Sequence, residues 1–425
     1  MAFGQEEVER RRQQREALRK QREEENLKFK TRLIIAGATV IAVAAVILLL
    51  VLGGKKGNEP SQPSTAPSGE TQSVVQTEPP KGVTVIHFAA AGDLNINDKV
   101  VASGGAGMDY TDMLLDVVPL LAQADLTVMN FEGNVVGAPY GSAKASAPIQ
   151  LLQALKFAGV DMLQMANSRS ISNGITGLNT TLQAVRSVGL EPVGAYPNNE
   201  AFSENGGYTI WEVQGVRIAV VAFTKGMDNM ALPTGSEKCV NLLYSDYSST
   251  YSKVDTEGIT SILKRIEKEK PDLTIALLHW GSEYNNSHNN AQEKVRQLML
   301  ENGVDAILGT HPHYVQEVEY DRDAGTLVAY SLGDFISDRE RSNTEYSVIL
   351  DLEITKDEKG KTKITGYSYT PIYTLEDENG VLRVVRIENA LAAYDQKYVD
   401  RISREEYQAM TEALEKIHKK IKPQK

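Results

Sequence analysis

The sequence predicts an α/β domain carried behind a single N-terminal membrane-spanning helix. Residues 33–52, LIIAGATVIAVAAVILLLVL, hold no charge and no proline. At a rise of about 1.5 Å per residue such a run crosses a hydrocarbon core of about 30 Å. Beyond residue 80, short apolar runs alternate with amphipathic stretches, the pattern of strand–helix–strand units. The whole chain, 41% hydrophobic and 24% charged, has the composition of a protein that mostly folds around a core.

Residues 1–32 form a charged tail that mixes both signs, with too few apolar positions to bury, and read as a solvated helix or loose segment. This tail argues for an uncleaved anchor, because a signal peptide has a shorter apolar stretch ending in a small-residue cleavage site. Arg15, Arg19, Lys20, Arg22, Lys28, Lys30 and Arg32 precede the span, whereas only Lys55 and Lys56 follow it closely. The positive-inside rule then leaves the N-terminus cytoplasmic and the C-terminal bulk outside the cell membrane. Residues 53–80, rich in Pro, Ser, Thr and Gly, read as a flexible spacer.

The ectodomain divides into a main body at 81–345 and a C-terminal part at 346–425. In the main body VTVIHFAAAG, LTVMNFEG, DMLQMAN, VRIAVVAFT, LTIALLHWG, VDAILGTHPH and TLVAYSLGDF read as strands. Between several of them YTDMLLDVVPLLAQA, PIQLLQALKFAG, GLNTTLQAVRSVG, TEGITSILKRIEKEKP and NAQEKVRQLMLENG read as helices. In the C-terminal part YSVILDLEIT, TKITGYSYTPIYTL and VLRVVRI read as antiparallel strands, and SREEYQAMTEALEKIHKKI as a closing amphipathic helix.

Charge and cysteine usage exclude several functions. Beyond residue 80 the chain has 33 basic and 46 acidic residues, a net charge of −13, which argues against nucleic-acid binding through a basic face. A polyanion would approach only where a metal ion or a local cluster of Arg and Lys reverses the sign. Cys239 is the single cysteine, so neither an internal disulfide nor a thiolate zinc site is available.

The chemically capable residues gather at the carboxyl ends of the predicted strands, where open α/β sheets bind ligands. Asp93 ends the first strand, Asn130 and Glu132 the second, and Asn167 the third. His279 and Glu283 follow LTIALL, His311 and His313 follow VDAILGT, and Asp334 follows TLVAYSLG. Each residue alone has an ordinary use as a cap, a turn residue or a buried imidazole. Their common placement favours one site. Carboxylate, amide and imidazole donors without thiolate suit Mn, Fe or Zn, and a pair of such ions about 3.5 to 4 Å apart clamps a phosphoryl group and activates water. His311-Pro-His313 reads as an extended segment, whose alternate side chains share a face.

The series AGDLN, NFEGN, HWGSEYNNSHNNAQ, GTHPHYVQEVE and YSLGDF resembles the CapA (PgsA) family of capsule and poly-γ-glutamate biosynthesis proteins, over residues of about 83 to 338. The resemblance implies a metallophosphatase-like β-sandwich flanked by helices. It also implies metal ligation by Asp93, Glu132, Asn167, His279, His311 and His313, with Asn130 and Asp334 at the edge of the site.

The third strand end departs from the family pattern A-N-N-H-x-x-D-x-G-x-x-G-L, reading A-N-S-R-S-I-S-N-G-I-T-G-L. Arg169 stands at the histidine position and Ser172 at the aspartate position. An arginine does not release a proton near neutral pH, although it binds oxyanions in bidentate fashion. Asp334 stands where asparagine is usual. Catalytic roles therefore rest on Arg169, as an altered acid position, and on Glu283.

The resemblance and the anchor favour an accessory subunit for synthesis or export of an anionic polymer such as poly-γ-glutamate, in contact with synthase or exporter subunits. The ligand cluster favours a metal-dependent phosphoesterase-type hydrolase. Arg169 favours a degenerate domain that only binds an anionic ligand.

Overall fold

The computed structural model describes residues 82–396 and 402–422. The expected tail, span and spacer lie outside these residues. Among the described residues, no helix is long and apolar enough to cross a membrane.

The chain opens with β1 (Thr84–Asn95), α1 (Asp98–Ala102), α2 (Thr111–Leu114), α3 (Val118–Gln123) and β2 (Leu126–Glu132). It continues through α4 (Ile149–Ala158), β3 (Met162–Gln164), α5 (Gly174–Ser187) and β4 (Glu191–Val193). The four strands are parallel neighbours. All of β2 is buried, as a central strand covered on both faces must be. The single helix expected over YTDMLLDVVPLLAQA is instead two short ones. Pro119 sits in the first turn of α3, where its missing N–H costs nothing, but it would break a helix running through it.

After α6 (Asn199–Asn205), a second sheet forms from β5 (Thr209–Val213), β6 (Val216–Thr224), β7 (Leu273–His279), β8 (Ala306–Thr310), β9 (Val318–Asp321) and β10 (Thr326–Ala329). Its spatial order is β5-β6-β7-β8-β10-β9, with β6, β7, β8 and β10 parallel. Helix α7 (Thr256–Glu269) joins β6 to β7, and α8 (Asn290–Glu301) joins β7 to β8. Spacing explains why α7 packs where it does. Ile259, Ile262, Leu263 and Ile266 recur at i, i+3, i+4 and i+7 and are all buried, and the Asp255 side chain caps the first turn by accepting from Gly258 N.

Strand β6 shows the sandwich directly. Ile218, Val220 and Ala222 join a core shared with the first sheet, whereas Ala219, Val221 and Phe223 join a second core beneath α7 and α8. Two sheets thus face each other with helices outside, the α/β sandwich expected.

The run TLVAYSLGDF serves both sheets. Its first half is β10; Tyr330–Gly333 then cross over, and β11 (Asp334–Ile336) pairs with β1. The crossing needs two close approaches. A Cβ at Gly92 would collide with the Gly333 carbonyl, and one at Gly309 with the Tyr330 carbonyl. β12 (Tyr346–Lys356), β13 (Thr362–Glu376) and β14 (Leu382–Arg386) then extend the first sheet antiparallel from β1. Helices α9 (Ile387–Asp395) and α10 (Arg404–Lys420) close the fold. α10 buries Met410, Ala413 and Ile417 and bonds outward through Arg339–Glu406 at 2.7 Å and Lys420–Glu317 at 2.9 Å.

Candidate metal centre

Both sheets direct the carboxyl ends of their parallel strands to one place. β1 delivers Asp93 and β2 delivers Asn130 and Glu132; the turn after β3 adds Asn167, Ser168 and Arg169. From the second sheet, Lys225 follows β6, His279 ends β7, and His311 and His313 follow β8. Asp334 pairs in register with Asp93 across β1 and β11. Asp93, Asn130, Glu132, Asn167, His279, His311, His313 and Asp334 are all buried.

One side of the site is the group Asp93, Glu132 and His313, whose ligating atoms lie within 4.8 Å of one another. Asp93 is held by its neighbours: Asn130 Nδ2 donates to Oδ1, and the His311 backbone N–H donates to Oδ2 at 3.0 Å. His313 Nδ1 lies 2.7 Å from Asp334 Oδ1, which also accepts from Asn95 Nδ2 at 3.1 Å. The His313 ring stacks on Tyr284 at 5.1 Å, and the Arg341 guanidinium sits 3.9 Å from the Tyr284 ring centre.

The other side gathers two imidazoles. His279 Nδ1 is tied to the Thr310 hydroxyl at 3.0 Å, which turns Nε2 inward. Around that nitrogen stand Ser168 Oγ at 3.0 Å, His311 Nδ1 at 3.1 Å and Glu132 Oε1 at 3.4 Å. His311 Nε2 faces the Lys225 ammonium at 3.2 Å. An ammonium only donates, so this nitrogen accepts, and ligation of a cation through Nδ1 would require the ring proton to leave that atom.

Electrostatics follow from this packing. Burial, with the His279, Lys225 and His313 charges, holds His311 well below the usual imidazole value. Burial would also lower His313, but the Asp334 carboxylate, with Asp93 and Glu132 behind it, raises it well above that value. Burial raises Asp93, reinforced by Glu132. Burial would raise Glu132 too, yet the His279, His313 and Arg169 charges outweigh it and hold the carboxyl at about 2.

A divalent cation fits these donors. Glu132 Oε2 is buried with no hydrogen-bond partner, a costly state for a carboxylate oxygen unless a cation takes it. Glu132 belongs to the group with Asp93 and His313 and also approaches the imidazole pair, its Oε1 lying 3.4 Å from His279 Nε2.

The predicted residues divide by placement. Asp93, Glu132, His279, His311 and His313 converge. Asn167 is adjacent, but its amide is consumed locally: Nδ2 donates to Asn130 Oδ1 at 3.0 Å and Phe131 O at 2.8 Å, and Oδ1 accepts from Arg169 N at 3.0 Å. The group facing the imidazoles from that turn is Ser168. Glu283 is exposed on the wall of a cavity of about 240 Å³ that opens against His311 and Ser168. The exposed Arg169 side chain pairs with Asp228 at 2.7 Å, on the rim of the same cavity. The Ser172 hydroxyl is buried without a partner.

The extended reading of His311-Pro-His313 is corrected. β8 stops at Thr310, and His311 and His313 have φ of 93° and 61°. A left-handed turn, not strand alternation, brings the rings together, with centroids 6.2 Å apart. Ser168, Lys225 and Asn95 were missed. For Lys225 a signal existed, since it directly follows the apolar run VRIAVVAFT at the strand end where the other ligands were sought.

Comparison with known proteins places these observations. The chain is 27% identical to the capsule biosynthesis protein CapA of Bacillus anthracis over 314 residues, 70% of this chain and 71% of that one. It is 27% identical to the PGA biosynthesis protein CapA of Bacillus subtilis over 255 residues, 59% of this chain and 63% of the relative. Among solved structures, a calcineurin-like phosphoesterase from Bacillus subtilis aligns with a TM-score of 0.43 at 15% identity, covering 79% of this chain and 97% of that one. A novel phosphatase from Mycoplasma pneumoniae aligns with a TM-score of 0.41 at 16% identity, covering 68% and 94%. The family model for the bacterial capsule synthesis protein PGA_cap matches residues 87–339, which carry every residue of the metal centre, and the chain belongs to that family.

Proposed function

We propose that this chain is a membrane-anchored, externally facing subunit in the synthesis or export of an anionic capsule polymer such as poly-γ-glutamate, working beside synthase or exporter subunits. Its ectodomain holds divalent metal, Mn, Fe or Zn, and uses it to engage an anionic group. The observation that carries the metal reading is the buried Asp93, Glu132 and His313 group with its unpartnered Glu132 oxygen. Asp93, Glu132 and His313 would hold one ion; Glu132, His279 and His311, with Ser168 beside them, would hold another. Bound ions would supply Lewis-acid polarisation of a phosphoryl or carboxyl oxygen. The chain's own residues orient that chemistry: Asp334 sets the His313 ring, Thr310 sets His279, and Asn130 sets Asp93.

A phosphoesterase-type hydrolase is the second reading, favoured by the cavity that opens against His311 and Ser168. Against ordinary turnover stand Arg169, engaged with Asp228, and the unpartnered Ser172 hydroxyl, where the family's acid pair would lie. One experiment separates these readings. Affinity purification of the full chain from host membranes should bring down an integral membrane polymer synthase, and a His279→Ala, His313→Ala variant should lower polymer yield at equal chain abundance. Isolation without such a subunit, and with unchanged polymer in the variant, would refute the accessory role.

A further inference from the structure

The cavity beside His311 presents both signs of charge. Lys225, half-buried on one wall, donates to Gly281 O at 2.9 Å and faces His311, and its ammonium lies 4.8 Å from the Tyr251 ring centre. Glu283 stands on the same lining. Neither has an ion-pair partner among the described residues, in contrast to Asp228, which Arg169 neutralises at 2.7 Å. Glu283 and Asp228 nevertheless act on Lys225, opposing the lowering that burial imposes.

We infer that this cavity takes a zwitterionic end, a carboxylate beside a primary ammonium, as found at the amino terminus of a γ-linked glutamate chain. The inference rests on the proposed role in an anionic polymer system and names which part of the polymer the site would hold. A ligand of one sign would meet a like charge on this lining: a plain polyanion meets Glu283, and a plain cation meets Lys225. A zwitterion satisfies both, its carboxylate toward Lys225 and the metal centre and its ammonium toward Glu283. Size gives the same answer. At about 240 Å³ the cavity has room for one terminal unit, and its open mouth lets the rest of a chain continue outside. An acidic surface elsewhere, net −13 beyond residue 80, keeps the interior of a polyanion away while a charge-balanced end is admitted.

The test is titration calorimetry of the full chain, saturated with Mn²⁺, against γ-glutamylglutamate and its N-acetyl derivative. The free-amine peptide should bind about two- to fivefold more tightly, the worth of a partly exposed ion pair. Glu283→Gln, at an exposed position that leaves folding intact, should abolish this preference, while Lys225→Met should weaken both peptides. Equal binding of the two peptides, binding of neither, or a preference that survives Glu283→Gln would overturn the inference. Metal content measured on the same samples keeps the two readings apart. Bound metal without amine preference refutes the zwitterion site alone, and amine preference without bound metal refutes the metal centre alone.

Discussion

Ser168 Oγ lies 3.0 Å from His279 Nε2 and 3.5 Å from His311 Nδ1, so a hydroxyl occupies the position from which the third strand end addresses the paired imidazoles. In the family pattern quoted above, this is the place of the second asparagine of A-N-N-H. A serine oxygen is a shorter and less polarised donor than an amide carbonyl. Ser168→Asn is therefore expected to tighten binding at the His279 and His311 position by about tenfold or more, and Ser168→Ala to weaken it. Metal per chain, measured by plasma mass spectrometry after dialysis against graded free metal, reads the change.

The bond between Asp334 and His313 leads to a graded result. Asp334→Ala frees the ring and should cost about 10- to 100-fold in metal affinity. Asp334→Asn keeps an accepting oxygen at Nδ1 and should cost less. Equal losses in the two variants would show that charge, not orientation, is what Asp334 contributes.

Metal binding should depend on pH with a definite sign. His311, held well below the imidazole range, is already neutral near pH 7. His313, raised well above that range beside Asp334, carries a proton that a metal must displace. Affinity should therefore increase as pH rises toward the His313 value, with proton release on binding. Calorimetry in buffers of different ionisation enthalpy measures the release; binding without it would contradict the assignment of His313 as a ligand.

Arg169 and Ser172 define the catalytic expectation. Guanidinium does not deliver a proton at neutral pH, and the exposed Arg169 side chain is turned to Asp228. Unactivated alkyl phosphates should be poor substrates and activated aryl esters better ones. Pairing Arg169→His with Ser172→Asp places a carboxylate where the hydroxyl now lacks a partner, and should raise alkyl phosphate turnover by about 10²- to 10⁴-fold. Wild-type hydrolysis of alkyl phosphates that the double variant does not improve would show that another group supplies the proton.

What was legible in the sequence, and what was not, follows from the kind of constraint each residue carries. Strand ends were legible because apolar runs such as VRIAVVAFT and LTIALLH give way to polar residues at the carboxyl ends of β6 and β7, and so His279, Asp93 and Glu132 could be placed together. Between Asn167 and Ser168 no pattern decides. Adjacent residues in a turn point to different sides, and the bonds that hold the Asn167 amide to Asn130, Phe131 and Arg169 N show which side chain is turned away from the imidazoles. The positive φ values at His311 and His313 were equally hidden, since nothing in the residue types requires a non-glycine residue to adopt them. Strands β4, β5 and β9 escaped for a simpler reason. They are short or only half-buried, as the pattern of β5 shows, and periodicity needs length and contrast to register.

The most direct test of the metal centre is anomalous diffraction from crystals of the protein grown with saturating Mn²⁺. A peak is expected within ligating distance of Asp93, Glu132 and His313, and a second, weaker where Ser168 substitutes for an amide, within reach of Glu132, His279 and His311. A well-ordered site with no peak at either position, or Mn²⁺ bound only elsewhere on the acidic surface, would contradict it.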